Sequence, residues 1–275
     1  MNENWAGQNA VVTGGSSGIG FALASALAKL GMNILLSSAN PARLEAAAQT
    51  LRAAGAKIVA IPCDVADRAA VRGLAAQAKA AFGQVDLLCA NAGATTFGRY
   101  DAHRDEDWDW AIDVNLRGVT NCIQAFYPEM VARGGGTIML TGSQTSLAPD
   151  WVLGHGPYVA AKGAVLALAL ALRAEARQHN VAVSLLLPAA TQTNVSESAR
   201  LVPPGEGTIT MNENFPAPDP AYPFMLSPAE VAARAIAGLR ENRPIIATHA
   251  GMRPAVEFYC KNLLAAYDKA ARYAD

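Results

Sequence analysis

Charge is scarce in this chain of 275 residues: only 16% are Asp, Glu, Lys or Arg, and they nearly cancel to a net charge of -1. No run of Lys or Arg interleaved with aromatics is present, so nothing matches a long phosphate backbone and no nucleic-acid partner is expected. Cysteine is sparse as well. Cys63, Cys89, Cys122 and Cys260 stand far apart without a CxxC pair, and His103, His155, His179 and His249 lack ligand spacings such as HxxxH, which argues against disulfides and a structural metal. Long hydrophobic runs are missing too: the longest, residues 163–172, is about half of what a membrane span needs. The first residues, MNENWAGQNAVV, show no charged segment followed by an apolar one of the secretory kind. The expectation is a cytoplasmic protein without a membrane partner.

What is abundant is apolar side chain, 52% of the total, enough for one large core over residues 1–275. Short β-branched or aliphatic runs occur at 10–13, 33–37, 57–62, 85–90, 136–141, 182–187 and 245–248. They alternate with Ala- and Leu-rich stretches of helical period at 18–30, 41–54, 67–82, 106–132, 157–178 and 228–241, and 253–273 follows the last run. Such alternation is the sequence form of repeated βα units. It predicts a single α/β domain, a doubly wound parallel sheet of about seven strands with helices on both faces. Pro41 and Pro228 suit first helical turns, where the missing N–H is no loss.

One segment breaks the rhythm. Residues 201–228 hold seven prolines and little periodicity, yet carry Met211, Phe215, Tyr222, Phe224 and Met225. A plain surface loop is one interpretation. Ordered loops of such length are uncommon and often serve as lids, so the other is a substrate lid over 195–228 that closes on an apolar ligand.

The stretch VVTGGSSGIGFALASALA sets Gly14, Gly18 and Gly20 directly after the first strand and at the entry to a helix, with Ser16, Ser17 and Ile19 in the same turn. Glycine lets the chain turn tightly and approach a pyrophosphate, whose charge the first-turn N–H groups and the helix dipole favour. Further on come Asn91, Ala92 and Gly93 after the fourth strand, Asn115 in DVNLRG, Ser143 in MLTGS, Tyr158 and Lys162 in YVAAK, and PAATQT from Pro188 to Thr193. In order and approximate spacing these resemble the short-chain dehydrogenase/reductase (SDR) family, and the likeness covers nearly the whole chain. A YxxxK motif alone recurs by chance on helix surfaces; six elements in order are specific. The resemblance implies a Rossmann-like fold, a nicotinamide cofactor, a homodimer or homotetramer, and hydride transfer between a secondary alcohol and a ketone.

Roles follow from that likeness. Asp64 would meet the adenine amino group with Val65 packed on the ring, although an Asp after a strand is also a common helix cap. Asn91, Ala92 and Gly93 let the cofactor pass close to the fourth strand. Pro188, Thr191 and Thr193 belong to the loop beside the nicotinamide carboxamide, where Ala189 replaces a common glycine. An acidic residue usually ends the second strand of NAD-preferring members. Here Ser37, Ser38, Ala39 and Asn40 stand at that end, with no Asp or Glu between Gly20 and Glu45, and Ser17 rather than a basic residue occupies the turn. Without a carboxylate to repel a 2'-phosphate, and with Ser38, Asn40 and Arg43 to contact it, NADP is favoured and NAD stays possible.

At the reacting centre Tyr158 is the proton-exchanging group, and a phenol of ordinary pKa ~10 needs that value lowered. Lys162, at i+4 on the same helix face, is expected to do so by its charge and to hold the cofactor ribose. Ser143 would donate to the substrate oxygen, and Asn115 would bend its helix and order a proton relay. Ser143 and Tyr158 stand fifteen residues apart, slightly more than is usual in the family. Ser146 is therefore an alternative to Ser143, and Trp151 and His155, in the longer connection, are candidates for substrate contact or plain loop side chains.

The stretch PAATQTNVSESARLVPP and the terminal IIATHAGMRPAVEFYCKNLLAAYD resemble bacterial members that oxidise bulky aryl alcohols, including Cα-dehydrogenases of lignin-derived ethers. A bulky apolar or aromatic substrate is expected; a 3-oxoacyl thioester, a steroid or a small ketone is the alternative. A non-catalytic, cofactor-binding regulator would be marked by loss of Ser143, Tyr158 or Lys162, and all three are present.

Overall fold

Alternating apolar side chains decide which helices each strand meets. In β1 (Asn9–Thr13), Val11 faces one side of the sheet while Ala10 and Val12 face the other, and all three are fully buried. The computed structural model describes residues 5–193, 200–202, 210, 211, 214 and 216–271. After β1 come α1 (Gly18–Lys29), β2 (Asn33–Ser38), α2 (Pro41–Ala53), β3 (Ile58–Pro62), α3 (Arg68–Phe82), β4 (Leu87–Ala90) and the short β5 (Thr96–Gly98). The chain continues through α4 (Asp105–Ile112), α5 (Gly118–Arg133), β6 (Gly136–Thr141), β7 (Val152–Leu153), α6 (Gly156–Ala176) and β8 (Val181–Leu187). It ends with β9 (Arg200–Val202), β10 (Thr210–Met211), α7 (Pro228–Arg240), β11 (Ile245–Ala247) and α8 (Arg253–Ala270).

Seven parallel strands pair in the order β11-β8-β6-β4-β1-β2-β3, and each coincides with one of the seven apolar runs. Helices α3, α5 and α6 cover one face through residues such as Leu74, Phe126 and Val165. Helices α1, α2 and α7 cover the other through Leu23, Leu44 and Val231. The chain builds outward from β1 first through β2 and then, on the opposite side, through β4. At that reversal the connections part and open a crevice at the carboxyl ends of the strands, which is where ligands of such sheets bind.

Helix starts are fixed locally. Asn40 Oδ1 accepts from Arg43 N at 3.0 Å ahead of Pro41, and Ser227 and Glu230 form a reciprocal capping box ahead of α7 with Pro228 in its first turn. Asp67, not Asp64, caps α3, accepting from Ala69 N at 2.7 Å and Ala70 N at 3.1 Å. The predicted helix over 106–132 is broken: a π-helical segment, Asp113–Arg117, separates α4 from α5 and carries Asn115. No helix among the described residues is long and apolar enough to cross a membrane.

Of the segment 195–228, β9 pairs in parallel with β5, and β10 pairs antiparallel with β7. The chain then returns to the loop after β8: Leu226 N donates to Ala190 O at 3.1 Å and Gln192 N to Leu226 O at 3.0 Å. Tyr222, Phe224 and Met225 are exposed. The side chain of Met211 and the whole of Phe215 lie outside the described residues.

Candidate active site

The cofactor end is built where β1 meets β4. Thr13 Oγ1 accepts from Asn91 N at 3.0 Å and from Ala92 N at 3.1 Å, and the Asn91 side chain donates back to Thr13 O at 3.1 Å. The glycines of the turn have no room for side chains. A Cβ on Gly20 would stand 2.3 Å from Gly14 O and 2.6 Å from Asn91 Nδ2; one on Gly14, whose φ is +65°, would stand 2.8 Å from Ala92 Cα. Gly18, at φ +53°, faces Thr193 across the mouth. The bare backbone at the start of α1 therefore lies open to a pyrophosphate, and the cradle fits a dinucleotide.

At the adenosine end the hydroxyls of Ser16 and Ser38 lie 2.9 Å apart. Asn40 has its side-chain oxygen engaged in capping α2, while Arg43 is exposed at the rim. Asp64 is exposed, with Oδ1 accepting only from Ala66 N at 3.0 Å among the hydrogen bonds of its carboxylate, which keeps oxygen lone pairs available.

The reacting end gathers Ser143, Tyr158 and Lys162. Ser143 Oγ is buried and accepts from Thr145 N at 3.3 Å and Thr145 Oγ1 at 3.0 Å, which leaves its own hydrogen to donate. Ser146 donates to Lys162 O at 2.8 Å and stays outside the cavity, so Ser143 and not Ser146 reaches the reacting space. The Lys162 ammonium, fully buried, donates to Thr141 O at 2.8 Å and lies 5.6 Å from the centroid of the Tyr158 ring. Burial brings its pKa down to about 8. Burial also pushes the Tyr158 phenol above its ordinary value, opposed by the Ser143 hydrogen bond. The lowering expected from Lys162 is outweighed in the chain alone: the ammonium donates to Thr141 O at the end of β6, and withdrawal of the phenol from water dominates.

His155 is the middle ring of a stack. Its centroid lies 4.3 Å from Tyr158 at an interplanar angle of 7°, and 4.4 Å from Phe97 at 18°. Nε2 is 2.5 Å from Thr95 Oγ1, and burial depresses its pKa to about 4, so the ring is neutral. Trp151 is buried and meets Phe224 edge-on, with centroids 5.9 Å apart. Asn115 lies behind these groups. Its Oδ1 accepts from Ala94 N at 3.1 Å while Nδ2 donates to Ala94 O and to Ala111 O, both at 2.8 Å. Both donors of the amide are taken by backbone, so the side chain braces the turn after β4.

One cavity of about 870 Å³ unites the rest. All the expected cofactor and substrate residues line it, from Ser38, Arg43 and Asp64 at one end to Ser143, Trp151, His155 and Tyr158 at the other; Asn115 alone does not. The family model for short chain dehydrogenase matches residues 8–202. The chain belongs to the short-chain dehydrogenase family. A C alpha-dehydrogenase of Sphingobium sp. is 31% identical over 254 residues, covering 91% of this chain and 83% of the relative. A short chain dehydrogenase/reductase of Burkholderia phymatum, solved in complex with NAD, superposes with a TM-score of 0.84 at 30% identity and covers 96% of each chain. An alcohol dehydrogenase of Thermococcus sibiricus, solved with 5-hydroxy-NADP, gives a TM-score of 0.72 at 27% identity, over 88% of this chain and 96% of that one.

This short-chain dehydrogenase is an oxidoreductase acting on CH–OH groups with a nicotinamide cofactor. Sequence reasoning missed Phe97 and His249, whose partners lie far along the chain and leave no local pattern. Two predictions follow from the geometry. Gly20→Ala must push the turn off Asn91 and is expected to weaken dinucleotide binding at least about tenfold, measured by calorimetry. Between about 8 and 10.5 the unfolded chain holds a proton on Lys162 that the folded chain has released, so this residue makes stability rise with pH across that window. Urea unfolding of wild type and Lys162→Met should differ by that slope; equal slopes would mean an ordinary lysine.

Proposed function

We propose that this enzyme interconverts bulky apolar or aromatic secondary alcohols and their ketones, using NADP in preference to NAD. The observation that carries this is the wall around Ser143 and Tyr158, formed by Phe97, Trp110, Val114, Trp151, Phe224 and Met225. Such a wall desolvates an aromatic or alicyclic body and leaves few polar groups to orient it. A bound nicotinamide supplies the hydride acceptor or donor. Tyr158 exchanges the proton with the substrate oxygen, and Ser143 redirects its hydrogen from the phenol oxygen to the same atom, stabilising charge that develops there. Lys162 favours the phenolate through its charge and offers its remaining N–H donors to the cofactor ribose. The Phe97–His155–Tyr158 stack fixes the plane of the phenol, with His155 and Trp151 in contact with substrate. Asn115 is a positioning residue.

The cofactor preference rests on Ser38 and the exposed Arg43 at the adenosine end, with Ser38, Ala39 and Asn40 rather than an acidic residue at the end of β2. Gly14, Ser16, Ser17, Gly18, Ile19 and Gly20 would hold the pyrophosphate, Asp64 and Val65 the adenine, and Pro188, Thr191 and Thr193 the carboxamide. The segment 195–228 acts as a lid, supported by its pairing with β5 and β7 and by Phe224 against Trp151. Exposed Leu170 on α6 and Leu263, Leu264 and Tyr267 on α8 suit a homodimer or homotetramer.

A screen of aryl and alicyclic secondary alcohols, their ketones and 3-oxoacyl thioesters, followed by nicotinamide absorbance with each cofactor, tests this. The expected result is highest turnover on aryl alcohols with NADP; preference for thioesters or for NAD would overturn the corresponding part. Tyr158→Phe should lower turnover by about 10²–10⁴-fold with cofactor affinity unchanged.

A further inference from the structure

The loop after β8 is held by a histidine that follows β11, the edge strand paired with β8. His249 is buried, with Nδ1 3.2 Å from Ala189 N and 2.8 Å from Thr248 Oγ1, and Nε2 2.8 Å from Ala190 O. A backbone N–H only donates and a carbonyl only accepts, which fixes the tautomer: Nδ1 accepts and Nε2–H donates. One neutral ring thus pins two consecutive residues of the loop. Backbone bonds tie it as well, from Gln144 N to Pro188 O at 2.8 Å beside Ser143 and from Leu226 N to Ala190 O at 3.1 Å, and Thr191 Oγ1 donates to Ala189 O at 3.0 Å. The loop lines the cavity at its reacting end.

We propose that His249 is a positioning residue that fixes residues 188–191 against the nicotinamide end of the cofactor, and that protonation of its ring frees the loop and weakens dinucleotide binding in acid. The inference rests on the function proposed above. An imidazolium would set an N–H against the N–H of Ala189, replacing an attraction by a repulsion. The charged groups facing the ring are Arg234 and Glu230, both from α7, and Arg234 also donates to Thr248 O. Burial, opposed by the bond to Ala190 and reinforced by Arg234, holds the ring below the ordinary histidine pKa, so the loop is set at neutral pH and released only below it.

The test is calorimetric binding of NADP, NAD and ADP-ribose to the full chain across pH. In wild type both dinucleotides should weaken as pH falls through and below the histidine range, whereas ADP-ribose, which lacks nicotinamide, should not. His249→Ala should weaken the dinucleotides about tenfold at neutral pH, the equivalent of one buried hydrogen bond, and spare ADP-ribose. His249→Asn keeps an acceptor near Nδ1 but does not titrate, so it should restore neutral binding and flatten the acid response. An acid profile in His249→Asn like that of wild type, or an equal loss for ADP-ribose in His249→Ala, overturns the inference. Wild type that binds neither dinucleotide overturns the proposed function and this inference together; wild type that binds them, with variants unchanged, overturns this inference alone.

Discussion

The cavity depends on the close approach of two strand ends, Thr13 of β1 and Asn91 of β4. Their reciprocal bonds set the start of α1 against the fourth strand, and Gly14 and Gly20 permit the approach by having no Cβ to obstruct it. The linkage continues sideways. Thr141 Oγ1 donates to Asn91 Oδ1 at 3.3 Å, and Thr141 O receives the Lys162 ammonium at 2.8 Å. A single run of hydrogen bonds therefore crosses β1, β4 and β6, three neighbours in the sheet, and ties the phosphate turn to the reacting centre. The two ends of the cavity are thus coupled through contiguous hydrogen bonds.

That run ends in a buried cation, which is an unfavourable thing to keep. Taking an ammonium out of water is disfavoured unless acceptors replace the solvent, and burial brings Lys162 down to about 8 beside its bond to Thr141 O. Around it the structure is shaped to hold the charge in place. The π-helical segment turns the Asn115 amide inward, and both Asn115 Oδ1 and Lys162 Nζ border the site of the Cβ that Gly93 lacks, at 3.0 Å and 3.5 Å. The local departure from regular helix thus has a cause in packing at the centre, and stability is given up where the chemistry needs a positive charge.

Most of the sheet was legible because each strand is an apolar run bounded by turn residues, and its two faces alternate as strand geometry requires. What was not legible came from contacts distant in sequence. The break at Asp113–Arg117 rests on Asn115 reaching Ala94, 21 residues away, and nothing in DVNLRG itself forbids a continuous helix. The strands β5, β7, β9 and β10 are two or three residues long and owe their conformation to pairing alone. At the site, motif order located Ser143, Tyr158 and Lys162, but not their electrostatics: the i+4 spacing put lysine and tyrosine on one face and could not reveal that Thr141 O claims the ammonium. Asp64 and Asp67 both precede α3, and only the start of the helix at Arg68 decides that Asp67 is its cap.

The neutral rings complete the electrostatic picture. A charged imidazole lying 4.3 Å over the Tyr158 ring would stabilise the phenolate and draw the proton off the group meant to exchange it. Burial prevents this by holding His155 to about 4, so the ring supplies stacking contact and the tie to Thr95 without charge. His249 is likewise kept neutral behind the loop after β8. With both imidazoles uncharged and the phenol pushed above its ordinary value, the protein by itself retains the proton on Tyr158 at neutral pH. The groups of the chain left to tune that proton are the Ser143 hydroxyl, which bonds to the phenol oxygen, and the Lys162 charge, whose distance is fixed by the same network that shapes the cofactor turn.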